Sequence, residues 1–221
     1  VSANPTAGFS IVSYTGTSPT VSTIGHGLSQ APEMVITKNK STSGYGWLVG
    51  HTSLNPTWSN SLSLSSTVAT WSENPIWNTT APTATVFTIG SDTYGNKSGD
   101  GYIAYVFHSV EGYSKFGKYT GNGSANGPFV YTGFRPAYLM VKRADAVNDW
   151  YMYDSARDKY NLTTQQLYPN LSNAEAANNN SLDLLSNGFK IRTTGLALNA
   201  SGGTYIYMAF AENPFKNSLA R

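Results

Sequence analysis

The chain contains an internal duplication. The segment Gly101–Phe107 (GYIAYVF) returns as Thr204–Phe210 (TYIYMAF), and Trp47 returns as Trp150. Further matches pair Tyr14 with Tyr119, Pro32 with Pro136 and Phe87 with Phe189. The order never changes, and the offset stays between about 102 and 105 residues. Residues that both copies share are expected to build a common scaffold, whereas residues that occur in one copy cannot be required by it.

The length and composition allow two similar halves with a neutral polar surface. With 221 residues, the chain is long enough for two β-rich domains, which we place at residues 1–112 and 113–221 and expect to pack together as one module. Charged residues make up 12%, about half the usual ~25%. Hydroxyl and amide side chains must therefore meet the water, as on extracellular or virion surfaces. The start of the chain, which lacks a signal peptide, suggests a fragment of a longer protein.

Short runs of apolar residues, alternating or continuous and flanked by turn residues, predict an all-β fold. Ten segments read as strands, five in each half. They are Phe9–Tyr14, Met34–Thr37, Trp47–Val49, Thr85–Ile89, Tyr102–Phe107, Ser114–Tyr119, Tyr138–Val141, Trp150–Tyr153, Gly188–Ile191 and Tyr205–Phe210. Their length and spacing indicate two duplicated antiparallel halves of the β-sandwich or jelly-roll type. One short helix is expected at residues 172–177, where Ser172 and Glu175 have the spacing of a capping box.

The residue inventory gives little support for catalysis or metal binding. The chain has no Cys, and its histidines, His26, His51 and His108, all lie in the first half. A histidine site common to both copies is therefore excluded. Twelve acidic residues could supply a glycosidase pair, but Arg and Lys lie among the clustered ones. We therefore predict no catalytic residue, no metal site and no cofactor.

One Gly-rich turn contains oxygen ligands suited to calcium. Asp92, Asn96 and Asp100 lie within it, but Lys97 lies between them and the spacing fits no EF-hand. Ordinary turn chemistry accounts for these residue types as well. The net charge is only +2, without a stripe of basic residues, so we do not expect nucleic-acid binding. No apolar run approaches the length of a membrane span, so membrane insertion is not expected.

The tryptophans divide into shared and copy-specific ones. Trp47 and Trp150 match each other and are expected in the cores of the two halves. The other three, Trp58, Trp71 and Trp77, have no Trp counterpart in the second half. If exposed, their rings would form a flat apolar platform for a sugar or a partner loop. They could equally cover a core or an oligomer interface, and the sequence leaves both alternatives open.

Several shared segments resemble a module of bacteriophage tail-fibre and adhesin proteins. These segments include Phe129-Val-Tyr-Thr-Gly-Phe-Arg-Pro136, Leu185-Ser-Asn-Gly-Phe-Lys-Ile-Arg192 and Gly203-Thr-Tyr-Ile-Tyr-Met-Ala-Phe210. The module is common in phages of marine bacteria and often follows a concanavalin-like lectin domain. The resemblance implies a virion location outside the cell, a longer parent protein, a homotrimer and a role in attachment. It carries no catalytic motif.

The sequence therefore predicts a non-enzymatic tail-fibre module that binds a host cell-surface glycan or protein. The candidate contacts are Trp58, Trp71 and Trp77, with Arg157 and Tyr160 as lesser ones. The alternative is an architectural protein that contacts only other virion proteins, in which case these tryptophans would be buried between chains. A glycan depolymerase is a third reading, and it requires two carboxylates within about 5–10 Å in a groove.

Overall fold

The computed structural model describes residues 1–72 and 76–214, apart from the side chains of residues 178 and 179. The chain divides into two compact units. Unit 1 comprises Val1–Ser66 and Thr70–His108, and unit 2 comprises Thr67–Ala69 and the residues from Ser109 onward. This boundary at 108/109 lies four residues before the one predicted from the sequence. The chain is all-β with antiparallel sheets, as predicted.

Unit 1 contains a six-stranded and a two-stranded sheet. Its elements are β1 (Ser2–Asn4), β2 (Phe9–Thr15), β3 (Ser22–Gly25), β4 (Met34–Asn39), β5 (Leu48–His51), β6 (Leu62–Ser63), β7 (Val86–Ile89), α1 (Thr93–Asn96) and β8 (Gly101–Phe107). The main sheet has the order β1-β2-β8-β4-β5-β6, and the second sheet pairs β3 with β7.

Unit 2 contains two four-stranded sheets. Its elements are β9 (Ser114–Thr120), β10 (Phe129–Tyr131), β11 (Pro136–Arg143), β12 (Trp150–Asp154), β13 (Thr163–Gln166), β14 (Ala176–Leu185), β15 (Gly188–Ile191), α2 (Leu196–Asn199) and β16 (Thr204–Ala211). The main sheet has the order β12-β11-β16-β9, and the second sheet has the order β10-β15-β14-β13.

The sequence duplication is a duplication of structure. Read from β9, the main sheet of unit 2 runs β9-β16-β11-β12, which repeats the order β2-β8-β4-β5 of unit 1. The registers agree as well, because Tyr14 faces Tyr102 and Tyr119 faces Tyr205. In the second sheets, β10 and β15 correspond to β3 and β7. Strands β13 and β14 extend that sheet in unit 2.

Each unit is a sandwich in which two sheets share one core. In unit 2, Leu139 and Tyr205 of the main sheet share a cluster of buried side chains with Phe189 of the second sheet. In unit 1, the corresponding cluster joins Tyr102 with Phe87. Alternation places every second side chain of the core-facing strands in these cores, as it does Tyr102, Ala104 and Val106 of β8. All ten strands predicted from the sequence are confirmed, with ends that differ by at most two residues.

The prediction of a helix at residues 172–177 is wrong. Residues 172–175 have no regular structure, and β14 begins at Ala176. Leu182 and Leu184 lie in the core, and β14 pairs with β13 and β15. Burial and ladder hydrogen bonds thus outweigh the local capping-box preference, which is worth only about 1 kcal/mol. Both helices of the described part of the chain are four residues long, and none there is long and apolar enough to cross a membrane.

Candidate functional site

Two stacked tyrosines form the frame of each unit. In unit 1, the rings of Tyr14 and Tyr102 are parallel to within 8°, with centroids 5.0 Å apart. The Tyr14 hydroxyl donates to the Gly95 carbonyl of α1 at 2.8 Å. In unit 2, Tyr119 and Tyr205 repeat this stack at 4.9 Å and 8°. Because both copies contain the stack, we assign it to the scaffold.

A buried asparagine at the end of each short helix completes this frame. Asn96 donates from Nδ2 to the carbonyls of Gly90 (2.6 Å) and Thr20 (2.9 Å), and accepts from the Thr17 amide (2.7 Å). Asn199 makes the matching set with Thr193, Ser124 and Asn122. Each side chain therefore ties together loops that would otherwise leave backbone groups unsatisfied.

Of the two alternatives that the sequence left open for Trp58 and Trp77, the structure shows burial in a core and not an exposed platform. Each side chain is only 2% exposed, and both belong to the core of unit 1. Their rings meet edge to face at 5.4 Å, and the indole N–H of Trp77 donates to Ser61 Oγ at 2.9 Å. The core of unit 2 instead contains Leu182 and Leu184 of β14.

The remaining tryptophans also differ from expectation in part. Trp71 is half-buried, packs against the core of unit 1 and exchanges two backbone hydrogen bonds with Ser61. Trp150 is buried, as predicted, but its counterpart Trp47 is half-exposed and stacks near Tyr105 at 6.1 Å. Since Trp58 and Trp77 are buried within one unit, burial between chains no longer distinguishes an architectural protein from a receptor-binding one.

Arg157 is committed to contacts within unit 2. Its Nε lies 2.6 Å from Asp154, its Nη1 lies 3.1 Å from Glu175, and its Nη2 donates to the Met152 carbonyl at 3.3 Å. All three guanidinium nitrogens are therefore used. Arg157 therefore holds the loop after β12, and its ion pairs with two carboxylates, Asp154 and Glu175, leave no excess positive charge there for a ligand.

The carboxylates around Arg157 do not have the properties of a glycosidase pair. Burial alone would raise the pKa of Asp154, but hydrogen bonds from the backbone and side chain of Arg157, together with its charge, bring that pKa below the usual value. Glu175 contacts the same guanidinium. A glycosidase needs one carboxyl that stays protonated at working pH. These two residues thus provide no support for the depolymerase reading.

The histidines and the Gly-rich turn have structural partners. His26 is fully buried, with Nε2 3.2 Å from the Thr83 carbonyl and Nδ1 3.2 Å from the Leu28 amide. Asp92 caps α1, and Asp100 accepts from Asn39 and Thr42 and lies 3.4 Å from Lys97. Over residues 1–72 and 76–214, no group of three or more His, Asp or Glu side chains is placed to hold a metal ion.

An exposed aromatic pair lies on unit 2, at a position that the sequence did not single out. Phe129 is 45% exposed and Tyr131 is 65% exposed. They are separated by one residue on β10, so both rings lie on the outer side of the sheet while Val130 points into the core. β10 is an edge strand of its sheet. Two neighbouring rings at a sheet edge provide a flat apolar surface that faces solvent.

The neighbouring strand leaves room for these rings. Tyr131 faces Gly188 across the β10–β15 pair, and Phe129 faces Lys190. A Cβ atom on Gly188 would lie 3.1 Å from two carbons of the Phe129 ring and 2.1 Å from the Val130 carbonyl oxygen. Glycine at position 188 therefore avoids a clash with the Val130 carbonyl and leaves room for the Phe129 ring beside β15. We call Phe129, Tyr131, Gly188 and Lys190 the β10–β15 face.

The β10–β15 face is specific to the second copy. In unit 1, Ile24 faces Phe87 as Val130 faces Phe189 in unit 2. The positions that match Phe129 and Tyr131 are therefore Thr23 and Gly25. The repeated scaffold forms in unit 1 without an aromatic side chain at either position. Scaffold requirements thus do not explain the two exposed rings.

Tyr160 remains a candidate, because it is 84% exposed. The next residue, Asn161, exchanges hydrogen bonds with the backbone N–H and C=O of Leu184 on β14. Tyr160 therefore lies beside the same sheet as β10, at the side of β14. Tyr160 lies beyond β14, about three strand spacings from β10. At about 4.8 Å for each spacing, the separation is roughly 14 Å.

The sequence could have revealed the β10–β15 face in one further step. The pattern Phe-Val-Tyr alternates as a strand does, and the match between Phe87 and Phe189 fixes which strand pairs with it. A comparison of the copies that considers only Trp, the residue type with the largest ring, does not find Phe129 and Tyr131. Burial of Trp58 and Trp77 depends on contacts between distant segments, which neither spacing nor composition reveals.

Comparison with known families shows which family the chain belongs to. A family model described as "Domain of unknown function (DUF7483)" matches residues 1–214. The chain therefore belongs to this family. No curated protein and no solved structure matches it.

Proposed function

We propose that this member of the DUF7483 family is a non-enzymatic attachment module that binds a carbohydrate of a cell surface through the β10–β15 face. The observation that carries the proposal is the exposed pair Phe129 and Tyr131, which the repeated scaffold does not require. Aromatic rings bury the apolar faces of sugars, and the phenolic hydroxyl of Tyr131 can exchange hydrogen bonds with sugar hydroxyls.

The attachment role agrees with the resemblance to phage tail-fibre modules. On this proposal, the chain is part of a tail fibre outside the cell and recognises a glycan of the host. A shallow face with two rings binds weakly by itself. Several copies on a trimeric fibre would gain about 10²–10⁴ in avidity where the geometry permits simultaneous contact.

The proposal is tested on a glycan array. The double variant Phe129→Thr/Tyr131→Ser introduces at the first position the residue of copy one and removes both rings. We expect it to lose at least tenfold in binding to the glycans that the native protein binds. Tyr131→Phe, which keeps the ring, should retain most of the binding.

A matched control distinguishes the face from any exposed aromatic residue. Tyr160→Ser removes the most exposed tyrosine of the chain and should change binding by less than about threefold if β10 holds the main contact. Equal binding by the native protein and the double variant, with both folded, would contradict the site. Absence of any glycan binding by the native protein would contradict the function.

A further inference from the structure

Two basic side chains lie next to the aromatic pair. Lys190 is the strand partner of Phe129, so the two side chains lie on the same side of the sheet, with Cβ atoms about 5 Å apart. Arg192 follows two residues later, and alternation places it on the same side. Its side chain is 41% exposed. The outer surface therefore combines rings with cations.

One carboxylate partly balances these charges. Asp183 of β14 is the strand partner of Lys190, and its Oδ2 lies 3.5 Å from Nε of Arg192. The Lys190 ammonium donates one hydrogen bond, to the Gly127 carbonyl at 3.1 Å. An ammonium has three donors, so it can bind a further acceptor. Along β10, β14 and β15, the described outer side chains leave an excess of one positive charge beside the rings.

The basic residues are specific to the second copy, like the rings. Thr88 of unit 1 corresponds to Lys190, since each follows the matched phenylalanine. Gly90 corresponds to Arg192. The same scaffold is thus built with neutral residues at both positions. Rings and cations occur together in one copy and are both absent from the matching face of the other.

We propose that the β10–β15 face, extended by Arg192, binds a carboxylated glycan such as a polyuronate. The sugar rings would lie against Phe129 and Tyr131, and the carboxylates would lie beside Lys190 and Arg192. Arg192 already pairs with a carboxylate, that of Asp183, and the fork of a guanidinium matches the two oxygens of this group. The inference rests on the proposed function and specifies its ligand class.

The first experiment compares each charged glycan with its neutral methyl ester. Oligomers of galacturonate, alginate and hyaluronan are each prepared as the free acid and as the methyl ester, and binding of the native protein is measured by titration calorimetry. We expect at least one free acid to bind at least fivefold more tightly than its ester. Raising the salt from 0.1 M to 1 M should weaken that binding, because the Debye length falls from about 10 Å to about 3 Å.

The second experiment changes the charges of the face in both directions. Lys190→Thr and Arg192→Gln should each weaken binding of the free acid by about three- to tenfold, and by a clearly larger factor than they weaken binding of the ester. Asp183→Asn should strengthen binding of the free acid by a similar factor. A gain on removing a surface carboxylate would not arise from damage to the fold.

The outcomes separate this inference from the proposed function. The acidic preference would be overturned if neutral glycans or esters bind as tightly as the acids or more tightly. If that binding still depends on Phe129 and Tyr131, the proposed attachment function would stand. Unchanged affinity in Lys190→Thr and Arg192→Gln would also overturn it. Failure to bind any acid, ester or neutral glycan of the array would overturn both.

Discussion

A Cβ atom on Gly50 would lie 2.3 Å from Cζ3 of Trp58. The ring of Trp77 is also close, with Cε2 2.8 Å from the same position. In the matching strand pair of unit 2, the position of Gly50 is occupied by Tyr153, which is fully buried. One copy thus fills this part of its core with a strand side chain, and the other fills it with two indoles from loops.

Substitution of Gly50 should therefore destabilise unit 1. We expect Gly50→Ala to lower the free energy of unfolding by about 1–3 kcal/mol, because the added methyl group overlaps the Trp58 ring in a packed core. Gly25→Ala is the matched control, since a Cβ atom there meets nothing within 4 Å. Urea unfolding measures both. Equal stability of the two variants would show that the indoles do not pack on Gly50.

The core assignment of the copy-specific tryptophans gives a second prediction. Trp58→Ala should cost about 3–5 kcal/mol of unfolding free energy, as large-to-small changes of buried aromatic residues do. Trp71→Ala should cost less, because Trp71 is half-buried. Thermal unfolding provides the comparison. Native stability together with reduced glycan binding in Trp58→Ala would contradict the core assignment and favour an exposed Trp58 that contacts the glycan.

The paired asparagines predict matched losses in the two units. Asn96→Ala and Asn199→Ala each remove a buried side chain that satisfies three backbone groups, and should each cost at least about 2 kcal/mol. Hydrogen exchange, read separately for each unit, should show the loss confined to the unit that carries the substitution. If one variant lost much unfolding free energy and the other lost none, the hydrogen bonds of Asn96 and Asn199 would not contribute equally to stability.

Burial of His26 predicts an acid-sensitive contribution to stability. Burial lowers the pKa of His26, although the hydrogen bond to the Thr83 carbonyl opposes this and the neighbouring His108 adds to it. The folded state therefore binds its proton less readily than the unfolded state, where the pKa is about 6.5. Stability contributed by neutral His26 is present above pH 6.5 and is lost as the pH falls below it.

The expected measurement is the unfolding free energy between pH 7.5 and pH 5. The native protein should lose stability across this range, and His26→Gln should be less stable at pH 7.5 but show a shallower decline. A decline of the same size in both proteins would assign the acid sensitivity to other groups.

The sequence predicted the scaffold better than the site, for physical reasons. Ten strands follow from alternation, and the match of Phe87 with Phe189 fixes equivalent positions in the two sandwiches. Helices α1 and α2 were missed because each is one turn long and depends on distant contacts, such as the hydroxyl of Tyr14 on Gly95. Trp58 can occupy its position because Gly50 has no side chain. That the two residues are in contact is visible only in the structure.

Mapping the binding surface tests directly whether the β10–β15 face binds the glycan. Amide and aromatic NMR resonances of the native protein would be followed while it is titrated with the glycan that gives the strongest signal on the array. We expect the largest shifts to centre on Phe129, Tyr131 and Lys190, with the resonances of Thr23 and Gly25 unchanged. Shifts that centre on unit 1 while the resonances of β10 stay in place would contradict it.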